Sequence, residues 1–210
     1  TLGFGQINLT GGMTADQAVQ FLLGPNVQYS NASFTGDSLQ FGQLDGLAGA
    51  ANFGIGSGIV LCTDDIQTLS PTGVEGTIFA NINTEPDLLA VAQSVPGLIN
   101  QNFTITSVNN VAILEFDFVA TGNNLSFNYI FGSDEYLEWV NSQFNDVFAF
   151  FLSGPGITGP YASPVGFPGG AINIAAIPGS NPATPITISS VNNVVNNQFY
   201  IDNQTVVDIA

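Results

Sequence analysis

No lysine, arginine or histidine occurs anywhere in the 210 residues, so all 16 charged side chains are Asp or Glu and the formal net charge is −16. Such a chain cannot close a salt bridge, a cation–π contact or an imidazole metal site with its own side chains. It has nothing to neutralise phosphate, which excludes nucleic-acid binding through a basic patch and electrostatic docking on an anionic membrane. Ser-His-Asp and Cys-His sites, Lys Schiff bases, Walker-type Lys loops and His-based zinc centres are excluded as well. Carboxylates, hydroxyls and the thiol of Cys62 are left, and the expectation is a protein that is not an enzyme.

With 45% hydrophobic and only 8% charged residues, the chain is far from an acidic disordered tail and can bury a core. Its polarity comes from Asn, Gln, Ser, Thr and 24 Gly, a neutral hydrogen-bonding surface of the kind found on secreted all-β modules. Cys62 has no second cysteine to pair with, and Ile59-Val60-Leu61-Cys62 reads as a buried strand. The apolar run at Val111–Leu114 is too short to span a bilayer, so no membrane insertion is expected. Thr1 opens without a charged n-region, so any signal peptide is expected to be already removed.

Thr14-Ala15-Asp16-Gln17 has capping-box spacing and predicts a short amphipathic helix that stops at Gly24-Pro25. Pro86 as first helical residue, with Asp87 behind it, predicts a second helix ending before Pro96-Gly97. Elsewhere the period is two. Strands are predicted at 26–34, 57–62, 105–108, 111–118, 125–131, 146–152, 171–177, 186–191, 199–202 and 205–209, with a Gly/Pro-rich loop over 154–170. In the fourth of these, Ile113, Glu115 and Asp117 share one face and Leu114, Phe116 and Phe118 the other. Many short strands and two brief helices predict one all-β domain over 1–210, a β-sandwich or jelly roll.

Clustered carboxylates without a positive side chain must be solvated, protonated or bound to a hard cation. The densest cluster is Ser133-Asp134-Glu135-Tyr136-Leu137-Glu138 with Asn145-Asp146 entering the next strand, and Asp64-Asp65 and Glu85-Asp87 are lesser pairs. Calcium is the expected cofactor, with Asp134, Glu135, Glu138, Asn145 and Asp146 as candidate ligands, although the spacing is not that of an EF-hand. The plain alternative is a solvated acidic loop. Glu115 with Asp117, or Glu135 with Glu138, matches a glycosidase carboxylate pair only as any two surface acids do. Most of the 17 Phe read as core, whereas Trp139 beside Glu138 is a candidate ligand contact or a loop anchor. Asp37-Ser38-Leu39 fits a short bacterial O-glycosylation pattern, a three-residue match of little weight.

Leu114-Glu115-Phe116-Asp117-Phe118-Val119, the run from Phe127 to Tyr136 and the run from Phe144 to Gly156 together resemble the bacterial choice-of-anchor L domain, and shorter matches extend over nearly the whole chain. The resemblance implies a module of a large secreted or cell-surface protein, adhesive or structural in role. It also implies delivery by the type IX secretion route and retention by a separate anchoring module. Relatives usually continue past the position of Ala210 with further strands, so the domain is expected to lack its last strands. Another copy or another surface domain would then supply them by strand donation. A carbohydrate-binding module using Trp139 is the alternative function, with glycans as partners.

Overall fold

The computed structural model describes residues 8–46, 55–69 and 84–202, which gather into two compact units. The first holds residues 8–46, 55–69 and 109–130, the second 84–108 and 131–202. Small antiparallel sheets and two α-helices bear out the all-β expectation at that level. Among the described residues the ladders comprise one of three strands and three of two, and none joins another into the broad sheets of a sandwich or jelly roll.

In the first unit, helix α1 (Ala15–Leu23) starts where the capping box predicts. Thr14 Oγ1 accepts from Gln17 N–H, and Gln17 Oε1 accepts from Thr14 N–H. Gly24 ends the helix at φ 70°, a left-handed value that an L side chain rarely adopts. Ala18 and Val19 are its buried face. Strands β1 (Asn8–Gly11), β3 (Phe41–Asp45) and β4 (Ser57–Leu61) form the three-stranded sheet with β3 in the middle. Cys62 falls just beyond β4 and is only half-buried, so the buried-strand reading of that position was one residue too long.

Strand β2 (Tyr29–Thr35) pairs with β5 (Ile113–Phe118). Ser33 faces Glu115 and Ser30 faces Asp117, so the acidic face of β5 meets hydroxyls. A bulge between Ser30 and Ser33 turns Asn31 to φ 55°, and its Nδ2 donates to Asp117 Oδ2 at 2.6 Å. Gln40 is the buried polar hub of this unit. Its Nε2 donates to Thr63 O at 3.2 Å and Asn110 O at 2.9 Å, and its Oε1 accepts from Asp37 N–H, so burial leaves none of these groups unsatisfied.

The second unit is built on helix α2 (Pro86–Leu98), whose Val91, Ala92 and Val95 are buried. The helix does not stop before Pro96 as predicted. Ile99 N–H donates to Val95 O and Gln101 N–H to Pro96 O, which satisfies the last carbonyls while Val95 stays packed. Segment 105–108 is not a strand either: Ile105 gives its carbonyl to Gln93 Nε2 at 2.9 Å, and Ile105 and Val108 pack as buried anchors.

The predicted strand 146–152 splits into β6 (Val147–Phe148), paired with β9 (Ile186–Thr187), and β7 (Phe151–Leu152), paired with β8 (Ile172–Asn173). The split has a side-chain cause. Asn173 Oδ1 accepts from both Phe150 N–H and Ala175 N–H at 3.0 Å, standing in for ladder partners and cutting the predicted 171–177 strand as well. Likewise 186–191 turns after Thr187, where Ser190 Oγ accepts from Thr187 N–H and donates to Pro185 O. Residues 197–199 form a 3-10 turn where 199–202 read as a strand. Segment 125–131 lies outside the ladders formed among the described residues, with Leu125 and Ile130 exposed. The predicted strand 205–209 lies outside the described residues.

Candidate functional site

The acidic segment lies wholly within the second unit, between Phe131 and β6. Ser133 Oγ donates to Asp146 Oδ2 at 2.7 Å and accepts from Glu135 N–H at 3.1 Å, which ties the two ends of the loop together. Trp139 N–H donates to Glu135 O and Ser142 N–H to Trp139 O, both at 3.1 Å, so the chain between them is a series of tight turns. Asn141, at φ 62°, donates its N–H to Ser189 Oγ at 2.9 Å.

The loop rests on a buried neutral network. Thr187, Ser189, Ser190 and Asn192 are all buried. Asn192 Nδ2 donates to Ile188 O and Ser189 O, while its Oδ1 accepts from Val194 N–H and Val195 N–H. Tyr136 reaches into the same region, donating its hydroxyl to Val191 O at 2.7 Å and packing on Tyr200 at 5.1 Å. In the sequence the network shows only as Ser189-Ser190 and Asn192-Asn193 inside an apolar run, which strand periodicity does not register.

Of the candidate ligands, Glu135 lies within electrostatic reach of Asp146, Asp134 and Glu138, and Asp146 within that of Asp134. Burial raises the proton affinity of Glu135 above the usual carboxylate range, and Asp146, Asp134 and Glu138 raise it further. Asp146 is raised by burial and by Asp134, against the opposing hydrogen bond from Ser133. Tyr136 is held strongly neutral by burial, by Tyr200 and by Asp146. Asn145 behaves differently from its acidic neighbours. Its Oδ1 accepts from Ser189 N–H at 3.2 Å, and its Nδ2 is buried without a hydrogen-bond partner. Among the described residues no three Asp, Glu or Cys side chains converge as a metal-holding group.

The lesser acid pairs serve local structure. Glu85 caps α2 at Asp87 N–H, Asp87 Oδ2 accepts from Ala162 N–H, and Asp65 Oδ1 accepts from Gln67 N–H. Asp37 caps the 3-10 turn Ser38–Gln40 by accepting from Leu39 N–H. Trp139 is 43% exposed and sets its ring edge-to-face with Phe144 at 4.8 Å and 73°. Phe144, which follows the polar run Asn141-Ser142-Gln143, is itself 47% exposed.

The described residues thus form small antiparallel sheets and two helices, with an acidic and aromatic loop carried on a neutral buried network. The family model for the choice-of-anchor L domain matches residues 8–208, nearly the whole chain, and the chain belongs to that family. It is therefore a domain of a secreted or surface-associated protein. No curated protein and no solved structure matches the chain. Among the described residues no helix is long and apolar enough to cross a membrane.

Proposed function

We infer that the chain is a non-enzymatic module of the cell surface or extracellular matrix, an adhesive domain or filament subunit whose partners are other surface domains or further copies of itself. The observation that carries the reading is the family match over residues 8–208, which places the chain with surface-associated domains. The cation-free composition supports it, because it removes most catalytic groups. Electron microscopy of the native material, with and without EDTA, tests it. Filaments or surface fibres are expected; uniform single particles from native envelopes overturn the filament form, and turnover on a broad panel of glycosides overturns the non-enzymatic one.

Calcium at the acidic loop belongs to the same proposal. Its support is the repulsion of Glu135 by Asp146, Asp134 and Glu138, which a divalent cation would relieve and no cationic side chain is there to relieve. Asn145 stays in the proposed ligand set: its Oδ1 accepts one bond, from Ser189 N–H, and keeps a second lone pair. Calcium at 100 times its Kd would add about 2.7 kcal/mol to stability. A rise in Tm with millimolar Ca²⁺ that EDTA reverses is expected, and an unchanged Tm removes the metal. The carbohydrate reading uses the Trp139–Phe144 surface, and binding on a glycan array that Trp139→Ala abolishes would support it.

A further inference from the structure

We propose that the Trp139–Phe144 pair, together with the carboxylates of Glu138 and Glu135, is a docking site for an arginine- or lysine-bearing segment of a partner protein. The proposal rests on the reading of the chain as an adhesive surface module and gives the chemistry of what it holds.

The first argument is the pairing of surfaces. Trp139 and Phe144 present aromatic area at the protein surface, and Leu137, also exposed, adjoins them in the chain. Glu138 is exposed and directly precedes Trp139, while the bond from Trp139 N–H to Glu135 O places Glu135 one turn behind it. A guanidinium or ammonium is suited to such a surface. It stacks on an indole face while its N–H groups meet a carboxylate, and indole is the strongest of the natural cation–π partners.

The second argument is charge complementarity. With 16 acidic and no basic side chains, every ion pair between side chains that this protein makes must be intermolecular. A second copy brings the same uncompensated charge, so a self-contact at this loop would add repulsion. A neutral glycan would stack on the rings but make no use of the charge on Glu138 and Glu135. A positively charged segment uses both features at once. The aromatic pair also gives the site an apolar anchor of the type that dominates binding energy at interfaces.

Trp139 is the only tryptophan, so its emission reports on this surface alone. The test is titration of the purified chain, in EDTA and about 150 mM salt where long-range attraction is screened, with the capped peptide Gly-Arg-Gly-Arg-Gly. The control peptide carries citrulline in place of arginine. Saturable change in Trp139 emission with the arginine peptide and at least threefold weaker response to the citrulline peptide are expected. Phe144→Ala and Glu138→Gln should each weaken binding about two- to fivefold, the range of an exposed cation–π or ion-pair contact. Asp64→Asn with Asp65→Asn, which removes equal or greater charge in the other unit, should leave it unchanged. Equal response to citrulline, or equal weakening by the Asp64/Asp65 variant, overturns the proposal. An emission change with maltoheptaose or cellopentaose but not with the arginine peptide overturns it in favour of a glycan surface. None of these outcomes depends on where the protein resides, so failure here and failure of the surface-module reading are separate results. Both single variants lie at exposed positions, and Glu138→Gln is isosteric, so folding is retained.

Discussion

Ser133 donates its hydroxyl to Asp146 Oδ2 at 2.7 Å, thirteen positions along the chain, and Ser133 Oγ itself accepts the backbone N–H of Glu135. One side chain thus holds both ends of the acidic loop. It also favours the ionised form of Asp146, which burial and Asp134 work against.

Ser133→Ala removes both bonds. The variant should lose about 1–3 kcal/mol of unfolding free energy, the range for a hydrogen bond to a charged, partly buried group, measured by urea denaturation. Asp146 should then titrate at higher pH than in the parent, as followed by carboxyl-carbon NMR. Ser133→Thr, which keeps the hydroxyl, should restore both. An Asp146 titration that does not move in Ser133→Ala would show that the hydroxyl is not what holds this carboxylate.

The pH dependence of stability follows from the direction of two shifts. Glu135 and Asp146 both bind protons more tightly in the folded protein than in an unfolded chain. Their contribution is therefore fully present below the ordinary carboxylate range and is lost as pH rises through their elevated folded values. With no base in the chain, acidification also relieves general self-repulsion. Tm without calcium should rise as pH falls from neutral toward the ordinary carboxylate range at about pH 4, and the paired variant Glu135→Gln, Asp146→Asn should flatten that rise. A Tm that falls over this interval would contradict the burial of these groups.

Asn192 is buried and uses both ends of its amide, donating to Ile188 O and Ser189 O and accepting from Val194 and Val195. Asn192→Asp keeps the shape but turns two donors into an oxygen that faces carbonyls, with no cation in the chain to compensate. A loss of about 3 kcal/mol or more is expected at neutral pH, shrinking as pH falls and the carboxyl protonates. Equilibrium denaturation at pH 7 and pH 4.5 compares the two, and equal losses at both would argue against this reading.

What the sequence made legible was local or carried by long strings of residues. The Thr14 capping box is an (i, i+3) arrangement and stands in the structure as read, as does Pro86 opening α2. The alternation of Ile113, Glu115 and Asp117 against Leu114, Phe116 and Phe118 survives as β5, and the motifs from Leu114 to Gly156 carried the family. The acidic loop was located, but not the bond that Asn145 makes beneath it. That depends on Ser189, 44 positions away, which periodicity cannot reach. The long predicted strands failed where Asn173, Thr187 and Ser190 bond backbone groups that a ladder would have used. Apolar alternation does not register that competition. β1 and β3 were missed because Gly11 and Gly42 dilute the pattern at paired positions.

That pairing of Gly11 with Gly42 leads to a further prediction. A Cβ at Gly42 would lie 2.5 Å from Thr10 O and closer still to Ile66 Cδ1, and Ile66 is buried. Only a hydrogen at this position lets β1, the middle strand β3 and Ile66 share the space. Gly42→Ala should cost about 1–3 kcal/mol, as overpacking does in a filled core. Ile66→Val removes the Cδ1 methyl and by itself should cost about 0.5–1.5 kcal/mol. In the double variant the two effects should fall short of additivity, because the shortened side chain yields part of the volume that the new methyl needs. Recovery stays partial, since Thr10 O is backbone and has less room to give. A double-mutant cycle by chemical denaturation measures the coupling; strict additivity would mean that the clash with the Thr10 carbonyl, and not Ile66, limits the packing of β1 on β3.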